Sequence, residues 1–193
     1  VFGQFIAHDL GLTLTGVPGE SLPIAVPADD AYFDPQGTGT QTMRLTRSAF
    51  DPATGTGVGS PRQQTTVVTS WLDGSMIYGS DAARAAALRT FSGGQLQTSD
   101  AHLLPLNTAG LPNQNRGPSP NDQLFLAGDV RANENVELTA LHVLFLREHN
   151  RLATQIQKYS PQLGDQEIYE RARQFVIGEL QSITFNEFLP ALL

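Results

Sequence analysis

The sequence predicts a mainly α-helical fold, with long loops wrapped around the helical core and little or no sheet. Three observations predict it. Leu138, Leu141, His142, Phe145, His149, Leu152 and Ile156 recur at three- and four-residue steps, the stripe of a helix from about Asn135 to Tyr159. Ile168, Ala172, Phe175, Val176, Leu180 and Ile183 repeat that spacing over roughly Asp165 to Asn186. From Gly16 to about Arg62 the chain is instead dense in Gly, Pro, Thr and Asp, with no sustained helical or alternating pattern.

In chain order, the opening segment Val1 to Asp9 reads as a helix in which Gln4 and His8, four apart, share a face. Asp9 turns about 100° away, so one helix can serve two sites. The Gly16–Arg62 stretch, with Val17-Pro18-Gly19, Asp34-Pro35 and Asp51-Pro52, reads as a long loop. Its interspersed Ile24, Tyr32, Phe33, Leu45 and Phe50 favour a loop that packs on the body. Ser80 to Arg89 reads as a short helix capped by Ser80 or Asp81 and closed before Gly93-Gly94. A second irregular stretch runs from Gly94 to about Asn121. Pro161 and Gly164 separate the two long helices, and Pro190 is expected to end the second.

Composition bounds the function. With 193 residues, 40% hydrophobic and 16% charged, the chain is large enough for one domain with its own core. A net charge of -7, with Lys158 the only lysine, argues against nucleic acid or an anionic membrane surface as partner. Without cysteine there is no disulfide, thiolate metal site or thiol nucleophile. No apolar run is long enough to span a bilayer. The chain starts and stops within apolar sequence, which reads as an internal fragment cut at both ends.

Several motifs, in order along the chain, carry a family resemblance. They are Gly3-Gln4-Phe5-Ile6-Ala7-His8-Asp9, Val26-Pro27-Ala28-Asp29-Asp30, and Thr69-Ser70-Trp71-Leu72-Asp73-Gly74-Ser75-Met76-Ile77-Tyr78-Gly79-Ser80. Ala127-Gly128-Asp129-Val130-Arg131-Ala132-Asn133-Glu134 and Leu146-Arg147-Glu148-His149-Asn150-Arg151-Leu152-Ala153 complete the set. Together they resemble the animal haem peroxidases of the peroxidase-cyclooxygenase superfamily, particularly peroxidasin-like members, nearly end to end. The resemblance implies a helical haem-peroxidase core, of which residues 1–193 are a partial, distal-side portion. It also implies haem b and Ca²⁺ as cofactors, hydrogen peroxide and a small electron donor as partners, and a secreted location.

By that resemblance His8 is the distal acid-base group. Peroxide cleavage on haem iron needs a group that takes a proton from one oxygen and returns it to the other, and a neutral imidazole does both. Arg131 stands at the distal arginine position, where an always-charged guanidinium stabilises the departing oxygen. Gln4, one turn before His8, hydrogen-bonds distal water or substrate. Glu134 matches the carboxylate that forms an ester with a haem methyl in many members; its alternative role is an acid favoured in a helix first turn. Ala7 and Asn135 replace a second ester-forming aspartate and a methionine bonded to a haem vinyl, so at most one covalent link is expected.

The calcium reading rests on Asp9, Thr69, Asp73 and Ser75 as hard oxygen donors, with the main-chain carbonyl of Trp71. The 69, 71, 73, 75 alternation is expected to aim them one way in an extended loop; the alternative is a turn that hydrogen-bonds itself. His142 and His149 read as core residues and His102 as solvated. No histidine follows His149, so no proximal iron ligand is expected in this chain. The expected activity of the full-length parent is peroxide reduction coupled to oxidation of a halide, thiocyanate or small organic donor. A fatty-acid dioxygenase of the same superfamily and a non-catalytic matrix or adhesion module are the alternatives.

Overall fold

The computed structural model describes residues 1–16, 19–114 and 117–193; Val17 and Pro18 of the predicted loop, and Asn115 and Arg116 of the second irregular stretch, lie outside the described residues. Helix α1 (Phe2–Leu10) opens the chain. Strands β1 (Ile24–Ala25) and β2 (Thr42–Met43) follow, then α2 (Ser75–Tyr78), α3 (Ala82–Ala87), α4 (Val136–Tyr159), α5 (Asp165–Ile183) and α6 (Leu189–Leu192). Two compact units are present: Val1–Gly11 with Val68–Leu193, and Leu12–Val67. The described fold is mainly α, its only sheet the antiparallel β1-β2 pair, Ile24 opposite Met43 and Ala25 opposite Thr42.

The helical unit is built around α4 and α5. Asn135 caps α4 by accepting the Leu138 N–H at 2.8 Å, which satisfies a donor the helix itself cannot. The predicted stripe points inward, with Leu138, His142, Phe145, His149 and Leu152 buried. Each fully buried leucine contributes about 1.5–3 kcal/mol. On α5 the Glu167 carboxylate reaches back to the Gly164 N–H, and Ile168, Tyr169, Ala172, Val176 and Leu180 are buried. Phe175 departs from expectation at 59% exposed, because Tyr169, Ala172 and Val176 occupy the inward face and leave it about 100° to one side. Helix α1 joins this core through Phe5, whose ring stacks on Phe145 at 5.4 Å and meets His142 edge-on at 4.9 Å.

Three expectations change. Pro190 does not end the second long helix: Thr184–Phe188 is π-helical and Pro190 sits in the first turn of α6. The Leu189 N–H bonds to the Thr184 carbonyl five residues back, a wider π-helical turn that leads into Pro190 without breaking the helical path. The expected helix at 80–89 is shorter, Ala82–Ala87, capped by Asp81 accepting the Arg84 N–H.

The third concerns the Gly16–Arg62 stretch, which lies within a compact unit with its own pairing rather than in a plain loop. Besides β1-β2, isolated bridges join Thr15 to Ser48, Ser21 to Thr46 and Phe50 to Gln64. Glu20 pairs with Arg47 and Arg62, and Arg62 lies over the Phe50 ring. Tyr32 is 90% and Phe33 58% exposed. The unit begins and ends at one place: the Val67 N–H bonds the Leu12 carbonyl at 2.9 Å, and the Leu12 N–H bonds Thr66 Oγ1 at 3.2 Å.

Candidate functional site

Two segments of the helical unit meet at the site, α1 and the turn Gly128–Asn135. The turn passes so close to α2 that a Cβ on Gly128 would lie 2.4 Å from the Ser75 carbonyl oxygen and 2.5 Å from the Gly79 nitrogen. Only glycine permits that approach. The Asp129 N–H bonds the Met76 carbonyl at 2.9 Å, fixing the next residue.

From there the side chains converge. Asp129 accepts two parallel bonds from Arg131, Nε to Oδ1 at 2.8 Å and Nη2 to Oδ2 at 2.7 Å, and a third from the Arg131 backbone N–H. The same guanidinium donates to the carbonyls of Gly11 and His8, tying the turn to the end of α1. His8 lies between two carboxylates, Nδ1 3.6 Å from Asp129 Oδ1 and Nε2 3.9 Å from Glu134 Oε2. Gln4 donates to Glu134 at 2.9 Å and accepts from Asn135 at 3.1 Å.

Burial holds the His8 imidazole below its ordinary pKa; Asp129 and Glu134 oppose this and Arg131 adds to it. The ring is therefore neutral at neutral pH. For Asp129, burial works against ionisation but is outweighed by the Arg131 hydrogen bonds and charge, so its carboxyl sits below the usual range. The structure thus brings Gln4, His8, Arg131 and Glu134 together. Glu134 precedes the cap of α4 rather than occupying its first turn. Sequence reasoning gave no role to Asp129 or to the Asn135 side chain. The acid two residues before Arg131 was the available signal for the first; nothing local signals the contact of Asn135 with Gln4.

Asp9 faces the other way. Its carboxylate accepts from the Gly74 N–H at 2.8 Å, Ser75 Oγ at 2.7 Å and the Met76 N–H at 2.8 Å. Thr69 Oγ1 lies 2.9 Å from Asp73 Oδ1 and 3.3 Å from Ser75 Oγ. The alternation expected of 69–75 is not what gathers these oxygens: Ser70 and Gly74 are left-handed, and the resulting tight turn folds them inward. Trp71 is 73% exposed. Burial raises the Asp9 pKa, and the Asp73 charge adds to it against the bonds from Ser75, Met76 and Gly74. Two carboxylates and two hydroxyls drawn this close suit a hard cation. Among the described residues no group of three or more His, Cys, Asp or Glu stands ready to hold a metal.

The remaining histidines are placed elsewhere. His149 is fully buried, its Nδ1 3.1 Å from the Tyr78 hydroxyl and its Nε2 2.8 Å from the Gly94 carbonyl. His142 is buried with neither ring nitrogen partnered among the described residues. His102 is exposed. A groove of about 640 Å³ is lined by Gln95, His102, Arg147, Asn150, Arg151 and Thr154, away from the distal residues. Three of its polar side chains are already paired, Arg147 with the carbonyls of Ala101 and His102, Arg151 with Glu148 and Asn150 with Leu96.

Residues 1–193 match the sequence profile of the family described as animal haem peroxidase. The chain belongs to the animal haem peroxidase family. It is 38% identical to dual oxidase 1 of Caenorhabditis elegans over the whole chain, which spans 13% of that protein. It is 35% identical to peroxinectin A of Dictyostelium discoideum, spanning 38% of it. Among solved structures, peroxidase A of Dictyostelium discoideum superposes with a TM-score of 0.86 at 33% identity, covering 98% of this chain and 39% of that one. Fatty acid alpha-dioxygenase of Arabidopsis thaliana superposes at 0.71 over 94% of this chain and 25% of that one, with 23% identity, and shares the fold alone. The chain is thus a minor part of the length of the relatives it matches.

The residues present fit one face of a haem. His8 Nε2 and the Gln4 amide stand beside the exposed Glu134 carboxylate, which would face a porphyrin edge. His149 has both ring nitrogens engaged within the core.

Proposed function

We propose that this chain forms the distal side of a peroxidase that reduces hydrogen peroxide to water while oxidising a halide, thiocyanate or small organic donor. The observation that carries the reading is the neutral, buried His8, with Asp129 on its Nδ1 side and, on its Nε2 side, Glu134, which Gln4 hydrogen-bonds. Haem b, when bound, supplies the redox chemistry. His8 Nε2 takes the proton from one peroxide oxygen and returns it to the departing one. Arg131 makes four side-chain hydrogen bonds to described residues, which leaves one of its five N–H groups for the charge building on that oxygen. Gln4 orients distal water or donor. Likeness to the fatty acid alpha-dioxygenase is one of fold, whereas the 33% identity to a solved peroxidase favours peroxide chemistry.

In the whole haem-loaded protein, His8→Ala should slow the absorbance change on mixing with peroxide by about 10²- to 10⁴-fold. Arg131→Leu should slow it as well, and near-wild-type rates in both variants overturn the reading. A further part of the proposal is one ester link at most, through Glu134. Denaturing chromatography should show haem released from the polypeptide in Glu134→Gln; two haem-peptide links found by mass spectrometry would contradict it. The 193 residues alone should bind haem weakly, since the axial ligand is proposed to lie outside them. Calcium at Asp9, Thr69, Trp71, Asp73 and Ser75, and secretion of the parent, complete the proposal. Gathered hard oxygens support the first and family resemblance the second. Among the described residues no helix is long and apolar enough to cross a membrane.

A further inference from the structure

We propose that Asp129 is a positioning residue of the distal site, one carboxylate that sets both the direction of the Arg131 guanidinium and the tautomer of His8. The inference rests on the peroxidase reading above and deepens it. Asp129 has 2% of its side chain exposed, and its two oxygens take both Nε and Nη2 of Arg131 in a planar fork. That grip holds the guanidinium plane, from which Nη1 and Nη2 reach the carbonyls of Gly11 and His8. Its Oδ1 also lies 3.6 Å from His8 Nδ1.

This distance is too long for a hydrogen bond, and among the described residues the buried Nδ1 has no hydrogen-bond partner. The carboxylate therefore acts on the ring through charge. An acceptor-only group beside Nδ1 favours the tautomer with its proton there and leaves Nε2 bare. Glu134 exerts the opposite pull on Nε2, but from 3.9 Å and with 35% of its side chain in water, so its field is the weaker of the two. The other group whose charge reaches the imidazole is Arg131; His142, from α4, is buried and neutral. A bare Nε2, on the Glu134 side of the ring, can accept the peroxide proton. The opposite tautomer would present an N–H there and no lone pair. Arg131, half neutralised by Asp129, then offers the departing oxygen a directed N–H and a moderated charge.

The test uses the haem-loaded protein and compares Asp129→Asn with Asp129→Glu at one pH near neutrality. Two rates are read, the reaction with peroxide and the binding of hydrogen cyanide to ferric haem, which also gives up a proton on binding but involves no turnover. Asp129→Asn should slow both at least tenfold in molecules that keep their haem spectrum, and Asp129→Glu should recover most of the loss, as a charge role requires. Rates within twofold of wild type for Asp129→Asn, alongside a slow His8→Ala, overturn this inference and leave the peroxidase reading intact. A fast His8→Ala overturns that reading itself. Should Asp129→Asn not retain haem, neutron diffraction of the wild-type protein decides: hydrogen on Nδ1 of His8 is expected, and hydrogen on Nε2 alone overturns the proposal.

Discussion

At the scale of single residues, Gly128 shows how a site is built by leaving something out. A methyl group there meets backbone of Ser75, Ile77 and Gly79 at 2.4–2.5 Å, and backbone cannot swing aside as a side chain can. Gly128→Ala should therefore destabilise the protein by about 1–3 kcal/mol or more, read as a lower urea midpoint. Gly178→Ala, on the exposed side of α5 with nothing within 4 Å of the added carbon, should instead stabilise it by about 0.5–1 kcal/mol. Equal effects of the two would contradict the packing described. Much of the site was legible at this scale, because Gln4, His8 and Asp9 are local to one helix and helical spacing fixes which share a face. Asp129 and the Asn135 side chain were not legible. Their roles come from pairings with His8 and Gln4 across more than a hundred residues, and no periodicity encodes such a meeting. The calcium turn was half legible: its donors were readable, but left-handed Ser70 and Gly74, not alternation, draw them together.

At the scale of an element, α4 carries two histidines in its buried stripe. Burial pushes His142 down to about 3 and, for His149, down to about 4, with the Gly94 carbonyl opposing in the second case. Both are neutral when folded, while the unfolded chain protonates them near 6.5. A depressed folded-state pKa means the unfolded state binds more protons between the two values, so stability is intact above about pH 6.5 and falls as the solution is acidified toward pH 4. Each histidine contributes a slope of up to about 1.4 kcal/mol per pH unit in that window. His8 acts in the same direction. Urea unfolding at pH 7 and pH 5 should show the loss, and His142→Leu should flatten it; a slope unchanged in that variant would count against a neutral, buried His142. Helix existence and the inward face were readable from the three- and four-residue steps. The run through Pro190 was not, because a π-helical turn is a tertiary accommodation that leaves no mark in the spacing.

At the scale of the whole molecule, the Asp9 and Thr69–Ser75 oxygens join α1 to a segment some sixty residues away in the chain. A cation bound there only in the native state adds RT ln(1 + [L]/Kd), about 2.7 kcal/mol at a hundredfold excess over Kd. The melting temperature should rise with calcium, fall with chelator, and lose both responses in Asp73→Ala. An unchanged melting curve after exhaustive chelation, with no metal found by elemental analysis, would remove the ion from the account. The Leu12–Val67 unit has a different meaning at this scale. Its first and last residues are one hydrogen bond apart, so its two ends coincide. An excursion with coincident ends is a graft: doubling its length adds only about 0.6 kcal/mol of closure entropy. Heredity can lengthen, shorten or rewrite that stretch while the residues that face His8 keep their places, so variation in surface and constancy in chemistry can proceed side by side in one polypeptide.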